Sequence, residues 1–220
     1  MYNILFYFTL FMIISCIGWF CEMIYTNIET KKLTNRGFLL GPYCPIYGAT
    51  SLVMLQTLKA YQNDIVILFI VAAVICSIVE YMTSYIMEKI FKARWWDYSN
   101  MPFNIDGRVC ILNSFLFGVG AVILFNCVPY IEGSIEAINT TVFYILSISL
   151  LFIFIIDFAF SFNVIFKFKL TVEAIQKDYT GEISSRVRKI IMKQSYPFRR
   201  LVTAFPNQMI IGLKKRFFRK

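Results

Sequence analysis

The chain has 220 residues, 58% of them hydrophobic and 16% charged, with 22 basic and 13 acidic side chains and no histidine. That apolar share and a mean hydropathy of +0.64 exceed the roughly 45–50% of ordinary soluble domains, which excludes a water-soluble globule and makes the bilayer the solvent. Without histidine, without a C-x-x-C pair among its six cysteines and without a G-x-x-x-x-G-K-[ST] loop, the chain lacks the usual zinc and haem ligand sets and the usual nucleotide cradle.

No metal or cofactor is therefore expected, and ATP-driven work would fall to a separate ATPase subunit. Crossing a hydrocarbon layer of about 30 Å takes about 20 apolar residues. Stretches 4–24, 38–58, 65–87, 109–130 and 142–166 approach that length. Met1-Tyr2-Asn3 carries no basic flank of a signal peptide, so the first stretch is expected to remain as a span. The expected fold is all-α: a polytopic transmembrane helix bundle of about five spans over residues 1–167, followed by a basic amphipathic tail over 168–220.

Lys31, Lys32 and Arg36 follow span one, and Lys89, Lys92, Arg94 and Arg108 follow span three. Fourteen basic residues against three acidic ones follow Phe166, whereas Lys59 is alone between spans two and three. The positive-inside rule turns this bias into an outside N-terminus and a cytoplasmic C-terminus in a multi-pass plasma-membrane protein. The tail's apolar Val187, Ile190 and Ile191 stand among Arg186, Arg188, Lys189 and Lys193. Such a pattern favours the anionic inner leaflet or a cytoplasmic partner; nucleic acid is not the expected one, because a tethered tail meets lipid headgroups first.

A charge inside a span costs about 2.5–3.5 kcal/mol on insertion scales, so each needs a partner, a watery cavity or a function. Glu22, Glu80 and Asp157 are such charges, and Glu88 lies near the boundary. Ser15, Gly18, Trp19, Glu22 and Thr26 share a face of span one, and Ser77, Glu80, Ser84 and Glu88 share one of span three. Asp157 and Ser161 stand one turn apart in span five, and the three polar stripes suggest one shared interior. Arg36 and Arg108 open the spans that follow two cytoplasmic connections, and each offers a guanidinium fork to Glu22, Glu80 or Glu88. Two readings stand: an ion-pair network that holds the bundle, or a site for a solute or ion.

Span two contains Gly41-Pro42-Tyr43-Cys44-Pro45-Ile46-Tyr47-Gly48. Prolines remove backbone donors and clash with the preceding turn, so regular helix is expected from about Pro45 with Gly37 to Tyr43 irregular. What remains is too short to span, and it is either a proline-kinked packing helix or the broken helix of a binding site, with Pro42 and Pro45 as candidate site residues. In the connection before span four, Trp95-Trp96-Asp97-Tyr98 suits a headgroup anchor. With Asp97 and Asn104 among its aromatics and turn formers, this connection is also expected to cap the cytoplasmic mouth of the bundle.

These residues carry a resemblance. Gly18-Trp19-Phe20-Cys21-Glu22, the run from Asn35-Arg36-Gly37 to Tyr47-Gly48, Glu80-Tyr81, Glu88, Arg94-Trp95-Trp96-Asp97-Tyr98-Ser99, Asn104 and Gly107-Arg108-Val109-Cys110 are similar to the family named "putative ABC-transporter type IV", small bacterial membrane proteins described as permeases. The likeness covers roughly residues 10–130. It implies a permease-like subunit working with a separate ATPase, and with so few spans an oligomer is needed to enclose a path.

The leading expectation is a transport protein that binds a small polar solute or ion at Glu22, Arg36, Glu80, Glu88 and Arg108, with Asp157 as a secondary candidate. Its rivals are a membrane enzyme acting on lipid with paired carboxylates, and a scaffold or regulator that recruits a cytoplasmic partner through the tail.

Overall fold

The computed structural model of the chain describes residues 1–30, 37, 39–91 and 96–178. Helix α1 runs Tyr2–Thr30, α2 Pro45–Thr57, α3 Ile65–Phe91, α4 Ile111–Glu136 and α5 Thr140–Asp178. Four of the five are long and apolar enough to cross a membrane, over Tyr2–Tyr25, Ile65–Ile90, Ile111–Glu136 and Thr140–Phe166. Much of their surface is exposed and greasy: Ile70, Val74 and Ile78 on α3 and Phe152, Ile155 and Ile156 on α5 all stand open. An aqueous surface does not tolerate apolar area on that scale, and lipid does.

The fifth helix is α2. Its first residue is Pro45, where the missing N–H is no loss, and it has only 13 residues, or about 20 Å. The chain before it follows no regular helix, as the prolines and glycines require. Two neighbours supply hydrogen bonds to that segment: the Cys44 N–H donates to the Ser15 carbonyl at 2.9 Å, and Asp157 accepts from the Leu40 and Gly41 N–H groups.

Small residues bring the helices together. Gly48 of α2 lies directly on the Phe11 carbonyl and the Ser15 side chain of α1, Gly18 of α1 on the Tyr47 ring, and Gly118 of α4 on the Phe69 ring of α3. Such contacts replace the hydrophobic drive that is missing between helices in lipid. Met54 and Leu58 of α2, Leu68, Ala72 and Cys76 of α3, and Ala121 and Phe125 of α4 form one buried cluster. Leu5, Leu10 and Ile14 of α1 meet Val128 and Ile135 of α4 and Phe143 of α5 in a second. Hydroxyl pairs add polar stitches, Thr9 to Ser147 at 2.8 Å and Ser77 to Ser114 at 2.6 Å.

Two features add detail to the sequence reading. The α3–α4 connection, expected to cap the bundle, contains a short antiparallel hairpin, β1 Asn104–Ile105 against β2 Val109–Cys110. Asp106 and Gly107 turn it with φ of 51° and 65°, the left-handed backbone that an Asp-Gly turn supplies. Helix α5 also continues past residue 167, where the tail was expected to begin, as one 39-residue helix of about 58 Å. The tail beyond Asp178 lies outside the described residues.

Candidate functional site: a buried and a half-buried carboxylate at one end of the bundle

Glu80 on α3 lies close enough to Glu22 on α1 to sense its charge. Tyrosines answer them. The Tyr47 hydroxyl donates to Glu22 Oε1 at 2.5 Å, and the Tyr98 hydroxyl donates to Glu80 Oε1 at 3.2 Å. Asn113 of α4 presents its side chain to the same Glu80 carboxyl. Burial, with Glu80 and Glu22 beside it, pushes the Tyr98 phenol well above its ordinary range, so Tyr98 stays protonated and remains a donor. Glu80 is only 8% exposed, and its Oε2 has no hydrogen-bond partner among the described residues.

The break before α2 builds this arrangement. By starting the helix at Pro45, it sets Tyr47 two residues into α2, and Gly18, one turn before Glu22, leaves room for the Tyr47 ring. Tyr98 reaches Glu80 because its connection folds back on itself: the Tyr98 N–H donates to the Gly107 carbonyl at 2.8 Å. Asn104 and Asp97 serve this local fold. Asn104 accepts from the Gly107 N–H and donates to the Met101 carbonyl, while Asp97 accepts from the Ser99 N–H and hydroxyl.

Arg108 does not reach Glu22 or Glu80. It pairs with Glu88 at 2.8 Å, donates to Ser84 Oγ at 3.1 Å and lies over the Tyr81 and Tyr85 rings. Of the three acids offered to it by the sequence, Glu88 takes it, because the hairpin delivers Arg108 one to two turns beyond Glu80 along α3. Trp96 closes the arrangement by donating Nε1–H to the Arg108 carbonyl at 2.9 Å. The group latches the hairpin to α3. Arg108→Lys, which keeps the charge and loses the planar fork and the ring stacking, is expected to lower stability by about 1–2 kcal/mol in thermal unfolding of the micelle-solubilised protein.

Asp157 forms a third group. It accepts from the Leu40 N–H at 3.1 Å, the Gly41 N–H at 2.8 Å, the Tyr43 hydroxyl at 2.6 Å and the Ser161 hydroxyl at 2.9 Å. Its donors are its own and not those of Glu22 or Glu80, so the stripe of α5 stands apart from those of α1 and α3, which meet at Glu22 and Glu80. Pro42 is exposed in the segment that Asp157 holds, and Pro45 begins α2. Arg36 lies outside the described residues.

The sequence reading missed Tyr47 and Tyr98 as ligands of the acids, although both stand inside the quoted runs. Among the described residues no group of three or more His, Cys, Asp or Glu is placed to hold a metal ion. Compared with known proteins, the chain gives no significant match to a curated protein or to a solved structure. A family does match it, over residues 9–162, which takes in Glu22, the broken segment, Glu80, the hairpin and also Asp157 on α5. The chain is thus a membrane protein that belongs to the family described as "Putative ABC-transporter type IV".

Proposed function

We propose that the protein is a permease-like subunit of the plasma membrane that binds a small solute or ion at Glu22 and Glu80 and moves it across the bilayer. The observation that carries this reading is the Glu80 Oε2, buried near Glu22 and without a hydrogen-bond partner among the described residues. Burying a polar atom unpaired costs about 1–3 kcal/mol, and more for a charge, a cost that a binding site recovers when it is filled. The adjoining broken helix supports the reading, since irregular backbone at membrane depth occurs against protein or a cavity. The end that holds Glu22, Glu80 and the hairpin faces the cytoplasm in this proposal, as the basic connections favour. Arg108 and Glu88 hold the cap, Asp157 holds the break, and a separate ATPase and a second copy complete the path.

The test compares cells expressing the wild type or Glu80→Gln for accumulation of a panel of labelled cations and small polar solutes. At least one species should lose tenfold or more of its flux in the variant, with equal amounts of protein in the membrane fraction. Unchanged flux across the panel at equal expression would refute transport through this site.

A further inference from the structure

Building on the reading of Glu22 and Glu80 as the solute site, we infer that its occupant is a monovalent cation, either an alkali ion or a protonated amine. The argument begins with what surrounds the pair. Tyr47 from α2, Tyr98 from the connection before the hairpin, and Asn113 from α4 face the two acids, with Cys76 one turn below Glu80 on α3. Both phenol protons are committed to carboxylate oxygens, one to Glu22 Oε1 and one to Glu80 Oε1. Each phenol oxygen keeps a lone pair, and each carboxylate keeps a second oxygen. Glu80 Oε2, fully enclosed and without a hydrogen-bond partner among the described residues, thus adds an unused acceptor to those lone pairs.

An anion brought here would meet carboxylate and phenol lone pairs, and a neutral hydroxyl compound would satisfy a lone pair without balancing carboxylate charge. A positive group does both. The nearest described guanidinium, Arg108, is already engaged by Glu88, so it does not fill that role. For a divalent metal, no set of three His, Cys, Asp or Glu is assembled among the described residues. One net positive charge against two partly satisfied acids, with phenol oxygens to complete the shell, suits a monovalent ion.

The full-length protein in detergent micelles is heated in sodium, potassium, methylammonium or N-methylglucamine chloride at one ionic strength. A small cation that binds only the folded state should raise Tm by roughly 5 °C over the bulky N-methylglucamine. The alkali and methylammonium arms distinguish the two sources of charge. Glu80→Gln and Glu22→Gln should each lose the shift. Equal Tm in all four salts for the wild type overturns the inference, as does a full shift in Glu80→Gln; if that variant does not fold, a full shift in Glu22→Gln overturns it. Since binding is read here without flux, a cation shift in a protein that moves nothing refutes transport and keeps the site. Flux without any cation shift does the reverse.

Discussion

Replacing Asp157 by alanine is expected to destabilise the protein by about 2–4 kcal/mol, more than any other single loss of a side chain in the polar groups of the bundle. Four donors converge on this carboxylate, two of them the backbone N–H groups of Leu40 and Gly41. Removing it strands those N–H groups in a segment that has no helix of its own to satisfy them. Each stranded donor costs about 1–3 kcal/mol, partly offset because a charge no longer has to be buried. Asp157→Asn should fall between wild type and alanine, since its carbonyl accepts from one side while its amide repels the donors on the other. The measurement is unfolding of the three proteins in mixed micelles. Equal stability of alanine and wild type would show that the break before α2 holds itself. A second consequence is structural: with the segment loosened, Tyr47 loses its fixed place against Glu22, so ligand binding should weaken in alanine more than in asparagine.

What the sequence disclosed and what it hid follow from the range of the forces involved. The break at Gly41 to Pro45 was legible because proline and glycine act on their own backbone, and α2 begins at Pro45 as that chemistry dictates. The long apolar helices were legible because length and greasiness are local sums. The choice of partner for Arg108 was not: opposite charge permitted three acids, and the register of the hairpin on α3 selected Glu88. The hairpin itself had a signal, Asp106-Gly107, which passed unused because only Arg108 was taken from the opening of span four. Tyr47 and Tyr98 escaped because a tyrosine near a membrane interface has a ready explanation as an anchor. Only the packing of α2 against α1 and the folding back of residues 96–110 bring their hydroxyls to the acids. The split of the polar residues into three groups was equally out of reach, since periodicity assigns a residue to a face and does not say what lies opposite it.

The close approach of α1 and α2 gives the last expectation, and it needs only one methyl group. A Cβ on Gly48 would run into the Phe11 carbonyl, the Phe11 ring and the Ser15 side chain. A flexible side chain can swing aside, but a carbonyl in the middle of α1 cannot move without shifting the helix. Gly48→Ala is therefore expected to cost about 1–3 kcal/mol through overpacking, even though alanine is the better helix former by about 1 kcal/mol. Gly120 of α4 supplies the control, because a Cβ there meets nothing within 4 Å. Gly120→Ala should be neutral or stabilising by about 0.5–1 kcal/mol, the ordinary gain of alanine over glycine within a helix. Opposite signs for the same substitution on two helices, read by unfolding in micelles, would place the tight seam of the bundle between α1 and α2. Since Tyr47 is the residue before Gly48, the shift that accommodates the methyl should also draw its hydroxyl off Glu22. Gly48→Ala should then bind its ligand more weakly than Gly120→Ala, whatever the stability of either.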